Sequence, residues 1–172
     1  MKNDVIEILF KKHYNEALLY LLSLSNNKAL AEEILSDAFY KALNTADDSI
    51  RNFKSWLLTI CRNLYYNHFN KQKSIVELDS KIKDESESII DKIIKDERYK
   101  ALYHAISLLD NSYKEVIILF YFESMPISHI AKLTNKNENA IKVMLYRAKE
   151  KLRTILEVNN YGLWKNIWKI LK

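Results

Sequence analysis

Residues 130–153, IAKLTNKNENAIKVMLYRAKEKLR, hold the pattern that decides the fold of this chain. Two stretches with helical spacing flank a short polar break at residues 134–136. Pro126 suits the first turn of the helix before this break, and Asn137 is a good N-cap for the helix after it. We therefore predict a helix-turn-helix within residues 112–153, with helices over 127–133 and from 137 to about 156. Asn135 can take the left-handed conformation that the turn requires.

The second of these helices has an apolar face and a basic face. Lysine and arginine can donate to guanine or phosphate, and asparagine can pair with adenine in the major groove. The basic face therefore predicts a DNA-reading helix, although a solvated helix of an ordinary bundle could carry the same pattern. The predicted inward residues are Ala140, Ile141, Met144, Leu145, Ala148 and Leu152. The predicted outward residues are Asn139, Lys142, Val143, Tyr146, Arg147 and Lys149, with Lys151 and Arg153 placed further on to meet phosphates or helix-end carbonyls.

The rest of the sequence also favours helices. Its 172 residues include one glycine and one proline, so the turn chemistry of β-hairpins is nearly absent. Helical spacing of apolar residues predicts helices over 4–24, 28–44, from 53 onward, 89–109 and 113–122, the last with Ser112 as N-cap. The first three form one bundle. Its predicted core is Ile6, Leu9, Phe10, Tyr14, Ala17, Leu18, Leu21, Leu22, Ala31, Ile34, Leu35, Ala38, Phe39, Ala42, Phe53, Trp56, Leu57, Ile60, Cys61 and Leu64.

Residues 74–98, SIVELDSKIKDESESIIDKIIKDER, carry more acids than bases and no aromatic side chain. Such a composition is typical of a linker whose second half begins a helix. We predict an all-α protein with two small helical domains, residues 1–73 and 99–156, joined by this acidic linker, the second containing the helix-turn-helix. Residues 157–172 form an amphipathic extension, which could pack on its own domain, dock a regulatory partner or lie on a membrane surface.

Composition limits the possible functions. The net charge of +5 suits a polyanionic partner, and the single cysteine, Cys61, excludes a disulfide framework. No stretch approaches the roughly 18 apolar residues of a membrane span, and the N-terminus lacks a signal-peptide pattern, so we expect a soluble cytoplasmic protein with no membrane span. The hydrolase, phosphate-loop and metalloprotease motifs are missing. We therefore expect a protein that is not an enzyme and has no catalytic residues, cofactor or metal.

Two surfaces of the first domain suggest binding partners. Glu33 and Asp37 are spaced i,i+4 on the outer face of the second helix, with Glu32 beside them, and form a carboxylate patch suited to a basic partner. The outer residues of the third helix include no acid. Because bases stack on aromatic rings while cations hold the backbone, that surface suits unpaired nucleic acid. Its residues are Arg62, Asn63, Tyr66, Asn67, Asn70, Lys71 and Lys73.

Four segments resemble bacterial RNA polymerase sigma factors of the extracytoplasmic-function (ECF) type. ALAEEILSDAFYKAL (29–43) is similar to the family's core-polymerase-binding helix, and FKSWLLTICRNLYYNHFNKQK (53–73) to its minus-ten helix. The family's region that reads the minus-thirty-five element is similar to two segments, ALYHAISLLDNSYKEVIILFYFESM (101–125) and residues 130–153. The segments occur in the family's order and span most of residues 8–154.

The resemblance implies a role for each surface. Core RNA polymerase would bind Glu32, Glu33 and Asp37, through the coiled coil of its largest subunit. Promoter DNA would be bound at two elements, and an anti-sigma factor is a possible third partner. The minus-ten residues would be Asp48, Ser49, Arg51, Asn52, Arg62, Asn63, Tyr66, Asn67, Lys71 and Lys73. The minus-thirty-five residues would be Lys114, Asn137, Asn139, Lys142, Val143, Tyr146, Arg147 and Lys149.

Two other functions remain open from the sequence. A helix-turn-helix regulator could use its N-terminal bundle to dimerise or to sense a ligand, but such a bundle has no need of the carboxylate patch. A sigma-like protein could bind polymerase without reading promoters. Ala140 and Met144 favour this second alternative, because they stand where the family usually has threonine and arginine.

Overall fold

The structure is a computed structural model that describes residues 2–72, 92 and 94–158. Every regular element in this part of the chain is helical, which confirms the predicted fold class. The elements are α1 (Asn3–Ser25), α2 (Lys28–Thr45), α3 (Phe53–Gln72), α4 (Glu97–Ser107), α5 (Asn111–Ile117), a π-helical turn (Ile118–Phe122), α6 (Ile127–Thr134) and α7 (Glu138–Val158). The chain divides into two compact units, residues 1–89 and 90–172.

In the first unit α1, α2 and α3 pack against one another around a common core. The chain leaves α1 through Asn26 in the left-handed conformation, and the side chain of Asn27 then caps α2 by accepting the Leu30 N–H at 3.1 Å. The Tyr65 hydroxyl donates to the Leu24 carbonyl at 3.0 Å and ties α3 to the end of α1. The core residues include Ile6, Leu21, Leu22, Leu35, Leu57, Leu58 and Cys61.

The core of the first unit differs from the predicted one at several edges. Trp56 and Leu64 are only half-buried, whereas Leu58 and Tyr65, which the stripe omitted, are buried. The reason is that α3 packs against both α1 and α2 and therefore buries a wider arc than one stripe. Three further residues predicted in the core are half-buried: Leu9, Tyr14 and Phe39.

The second unit contains the predicted helix-turn-helix. The α6 helix begins after Pro126, whose carbonyl accepts the Ile130 N–H at 3.0 Å, and it ends at Asn135 with φ 55° and ψ 46°. The Ala140 N–H donates to Asn137 Oδ1 at 2.7 Å, which caps α7. The two helices pack against each other. The turn predicted from Pro126, Asn135 and Asn137 is therefore confirmed.

Two helices of the second unit begin at other residues than predicted. The helix predicted over 89–109 is interrupted, because residues 94–96 are not helical and α4 begins at Glu97; residues 89–91 and 93 lie outside the described chain. The Asp96 carbonyl accepts the N–H groups of Tyr99 and Lys100, which starts α4 there. Ser112 lies inside the first turn of α5, and Asp110 holds the N-cap position.

The helix predicted over 113–122 also changes type partway. After Ile117 the backbone widens into a π-helical turn, and the Glu123 N–H bonds the Ile118 carbonyl at 3.0 Å. Ser124, with φ 53°, then reverses the chain toward α6. The described helices include none long and apolar enough to cross a membrane.

Candidate functional site

The α7 helix presents the predicted reading face to solvent. Its inner side buries Ile141, Leu145, Ala148, Leu152 and Leu156 against the rest of the second unit. Ala140 and Met144, predicted on that side, are half-buried at its edge, because the buried stripe is narrower than predicted. The exposed outer residues are Asn139, Lys142, Val143, Tyr146 and Arg147. Five predicted contact residues therefore share one surface, which we call the reading face.

Two further predicted contact residues on α7 have partners within the protein. Asn137 is exposed, but its side-chain oxygen caps the helix at Ala140. The ammonium of Lys149 lies 5.7 Å from the centroid of the Tyr121 ring, a cation–π distance, and its side chain is half-buried. The cap fixes where the reading face begins.

Lys114 does not belong to this surface. Its residue is only 7% exposed, because α5 packs against α7 and covers it. Desolvation by this burial lowers the pKa of its ammonium group. The structure therefore places Lys114 among the buried residues and not on the exposed reading face.

The cations at the far end of α7 lie beside carboxylates. The Lys151 ammonium lies 3.7 Å from Asp110 Oδ2 and 5.4 Å from the centroid of the Tyr113 ring. The Arg153 guanidinium lies 3.7 Å from both Glu150 and Glu157. These exposed pairs are weak, but they lower the net positive charge of this end, whereas Lys142 and Arg147 lie in the first half of the helix, on the reading face.

The α2 helix presents the predicted carboxylate patch. Glu32, Glu33 and Asp37 are all exposed, and Glu32 lies 3.9 Å from the ammonium of Lys28, one turn earlier. An exposed pair of this kind contributes little to stability. Tyr40, which sequence reasoning missed, is 72% exposed one turn beyond Asp37. Its spacing from Glu33 and Asp37 placed it on the same face, and that spacing was the available signal.

The outer face of α3 combines rings, amides and cations as predicted. The Arg62 guanidinium carbon lies 4.5 Å from the centroid of the Tyr66 ring, a cation–π distance. Phe69, another residue that the prediction missed, is 38% exposed and stacks on Tyr65 with ring centroids 6.1 Å apart. Asn63, Asn67, Asn70 and Lys71 are exposed along the same helix, whereas Lys73 lies outside the described residues.

The loop that precedes α3 is held by bonds between side chains and backbone. The Ser49 N–H donates to Asp47 Oδ1 at 2.8 Å, and the hydrogen bonds from Ser49 lower the pKa of the Asp47 carboxyl. The Ser55 N–H donates to Asn52 Oδ1 at 3.0 Å, so Asn52 caps α3. Asp48, Ser49 and Arg51 are exposed. The loop thus offers polar side chains from an ordered backbone.

The titratable groups within the described ranges form no metal cluster of three or more histidine, cysteine, aspartate or glutamate side chains. The Cys61 thiol is buried in the first unit, and burial raises its pKa to about 12. It is therefore a packing residue of the core.

Comparison with known proteins matches both units to one family. Residues 9–75 match sigma-70 region 2, and residues 99–152 match sigma-70 region 4. The RNA polymerase sigma factor SigV of Bacillus subtilis is 32% identical over 146 residues, which cover 82% of this chain and 84% of SigV. The ECF RNA polymerase sigma factor BldN of Streptomyces coelicolor is 29% identical over 160 residues, 89% of this chain, and the chain spans 61% of the length of BldN.

Two solved structures share the fold. The sigma factor RpoE of Bartonella quintana, solved in complex with the anti-sigma factor NepR, superposes with a TM-score of 0.64 at 22% identity, over 93% of this chain and all of RpoE (100%). CnrH, solved with the cytosolic domain of CnrY, gives a TM-score of 0.65 at 17% identity, over 92% of each chain. From these matches, the chain belongs to the sigma-70 family of bacterial RNA polymerase sigma factors, within the ECF group.

Proposed function

We propose that this chain binds core RNA polymerase and directs it to promoters, with residues 1–73 and 99–156 each contacting one promoter element. The observation that carries this proposal is the pair of exposed surfaces on one chain, a carboxylate patch on α2 and a basic reading face on α7. Core polymerase accounts for the carboxylate patch, and promoter DNA accounts for the reading face. A dimerisation or sensing bundle would have no use for the exposed carboxylates.

Core polymerase binds the α2 surface. Glu33 and Asp37 supply exposed negative charge that steers a basic partner, because charge complementarity raises association rates and selects partners. Tyr40 adds an exposed ring beside them, and aromatic side chains are frequent binding anchors. The partner is therefore an element that offers both cations and apolar contact.

The minus-ten element is bound as a single strand by α3 and the loop before it. Arg62 and Tyr66, in cation–π contact, offer a guanidinium and a ring to an unpaired base, and Lys71 offers a charge for the backbone. Asp48, Ser49 and Arg51 in the loop contact a flipped base. Binding energy for unpaired bases drives strand separation, so the chain needs no catalytic group of its own.

The minus-thirty-five element is bound as a duplex by the reading face of α7. In a helix-turn-helix the second helix lies in the major groove with its N-terminal residues against base edges. Asn139 and Val143 lie in that part of the helix, and Lys142 and Arg147 flank them where they contact the phosphates of the two strands. Since Lys114 is buried, α5 supports α7 rather than contacting DNA.

The remaining partner and the location are proposed by analogy. The relatives RpoE and CnrH were solved with NepR, an anti-sigma factor, and with CnrY, respectively. We extend this to the present chain as regulation by an anti-sigma factor. We also propose that the chain acts in the cytoplasm, where polymerase and promoter DNA meet, and that it supplies no catalytic group of its own.

Charge changes on the two surfaces test the proposed division of labour. Glu33→Lys with Asp37→Lys should weaken binding to core polymerase at least tenfold, because the patch would then repel a basic partner. Lys142→Ala with Arg147→Ala should leave core binding unchanged and weaken promoter binding by the assembled holoenzyme.

The matched control for the charge reversal is Asp4→Lys with Glu7→Lys. It makes the same change in net charge with two exposed carboxylates of α1 and should leave core binding intact. Equal losses in the patch variant and this control would show that net charge alone acts, and the α2 assignment would then be wrong. Core binding without promoter binding by the parent protein would instead favour a sigma-like protein that does not read promoters.

A further inference from the structure

Two apolar side chains stand in the middle of the reading face. Val143 is 47% exposed and Tyr146 is 67% exposed, three residues apart on the same helix. Helical spacing puts them opposite the buried residues Ile141 and Ala148. Valine is not a favourable residue for an exposed helix position, since its branched side chain loses rotamer freedom there. Packing within the second unit therefore does not account for the position of either side chain.

The cations around the pair define the kind of surface that would cover it. Lys142 and Arg147 are exposed on either side of the line from Val143 to Tyr146. Such an arrangement places cations toward the phosphates of the two strands and apolar groups toward the base edges between them. In the major groove, the C5-methyl of thymine is the apolar group that base edges present.

We propose that Val143 and Tyr146 recognise thymine methyl groups, so that the minus-thirty-five element read by α7 requires thymines at neighbouring base pairs. This inference rests on the proposed function and specifies the ligand chemistry of its reading face. A three-residue step advances about 4.5 Å along a helix axis, and base pairs stack about 3.4 Å apart. With the helix lying along the groove, the two side chains therefore reach adjacent base pairs.

The test removes single methyl groups from the DNA. Duplexes that bind the holoenzyme of this chain are first selected from a random-sequence library. Each thymine of the upstream element is then replaced, one at a time, by deoxyuridine, which pairs identically but lacks the methyl. Loss of one buried methyl should weaken holoenzyme binding about fourfold at two neighbouring positions, with little change at the other thymines.

Matching changes in the protein assign each methyl to its side chain. The quantity compared is the holoenzyme's affinity for the thymine duplex divided by its affinity for the deoxyuridine duplex. This affinity ratio should fall to about one at one of the two positions with Val143→Ala, and at the neighbouring position with Tyr146→Ala. Both residues are exposed, so neither change should unfold the helix. Val158→Ala is the matched control, because Val158 is 79% exposed on the same helix about 22 Å from Val143. This variant should show the parent protein's affinity ratio at both positions.

The outcomes separate this inference from the proposed function. If the holoenzyme selects and binds promoters but no deoxyuridine substitution weakens binding, the thymine assignment is wrong and the function stands. A methyl dependence that persists in both alanine variants assigns the methyls to other residues and also overturns the inference. Failure of the holoenzyme to select any duplex would remove the proposed function and the inference with it.

Discussion

Removing the two exposed cations of the reading face should change how promoter binding depends on salt. Lys142 and Arg147 are exposed, whereas Lys151 and Arg153 lie 3.7 Å from carboxylates. Each phosphate that a protein neutralises contributes about 0.9 to the slope of log affinity against log salt concentration. Lys142→Ala with Arg147→Ala should therefore lower the magnitude of that slope by about 1.8.

The same slope gives the expected loss of affinity. Extrapolated from 1 M salt, two lost phosphate contacts weaken binding about thirtyfold at 0.15 M. Between 0.05 and 0.2 M, the parent holoenzyme should lose about twelvefold more affinity than the variant holoenzyme. The assay is a titration of each holoenzyme on one promoter duplex at four or more salt concentrations, so that contacts made by core polymerase and by α3 cancel in the comparison.

The far end of α7 offers the control for this experiment. Lys151→Ala with Arg153→Ala removes the same charge from the same helix, but those cations lie on its C-terminal half, beside the carboxylates of Asp110, Glu150 and Glu157. The control slope should change by much less than about 1.8, because the N-terminal part of the second helix is the part that lies against DNA in a helix-turn-helix. Equal slope changes in the two double variants would refute the reasoning that phosphate contacts are concentrated on the reading face.

Two further substitutions and one labelling experiment test the helix cap and the buried residues behind these surfaces. Asn137→Ala removes the cap bond to Ala140 and should destabilise the second unit by about 1 kcal/mol, measured by thermal unfolding, with a correspondingly weaker promoter affinity; an unchanged stability would show that the cap is unimportant. Lys114→Met should raise stability at neutral pH and leave the salt slope unchanged, since burial lowers the pKa of this lysine. The unfolded chain holds that proton to higher pH, so the stability of the parent protein rises with pH between the lowered pKa and the ordinary lysine pKa. The stability gained by the methionine variant therefore shrinks over that pH range. A reduced salt slope in this variant would indicate that Lys114 contacts DNA. The Cys61 thiol, whose pKa is raised to about 12, should react with an alkylating reagent about a thousandfold more slowly in the folded protein than in denaturant; rapid labelling of the folded chain would contradict its burial.

The helix-turn-helix could be predicted because its signals are local. Pro126, Asn135 and Asn137 act on backbone groups within four residues of themselves, so their sequence positions determine where α6 and α7 begin and end. Helical spacing also predicts four buried residues of α7, Ile141, Leu145, Ala148 and Leu152, but not that Ala140 and Met144 are only half-buried. These features need no knowledge of what packs against the helices.

The features that prediction missed depend on contacts distant in sequence. The charge of Lys114 favours exposure, but the packing of α5 against α7 buries it. Asp110 is far along the chain from Lys151, so nothing local indicates their pairing. Trp56 lies in the apolar stripe of α3, but the two-sided contact of that helix shifts burial toward Leu58.

Tyr40 is a different kind of omission. Its position three residues after Asp37 indicated that it shares the carboxylate face, and its 72% exposure agrees with that spacing. An aromatic residue next to a hydrophobic stripe is readily taken for a core residue of the stripe. The distinction rests on helical angle rather than on residue type.

The most direct measurement of the central claim is transcription reconstituted from purified components. This chain is added to bacterial core RNA polymerase on selected promoter duplexes, and the transcripts are mapped. The proposed function predicts a stable complex with core polymerase and transcripts from discrete start sites downstream of the bound elements, absent with core polymerase alone. The absence of a complex, or transcripts no different from those of core polymerase alone, would contradict it.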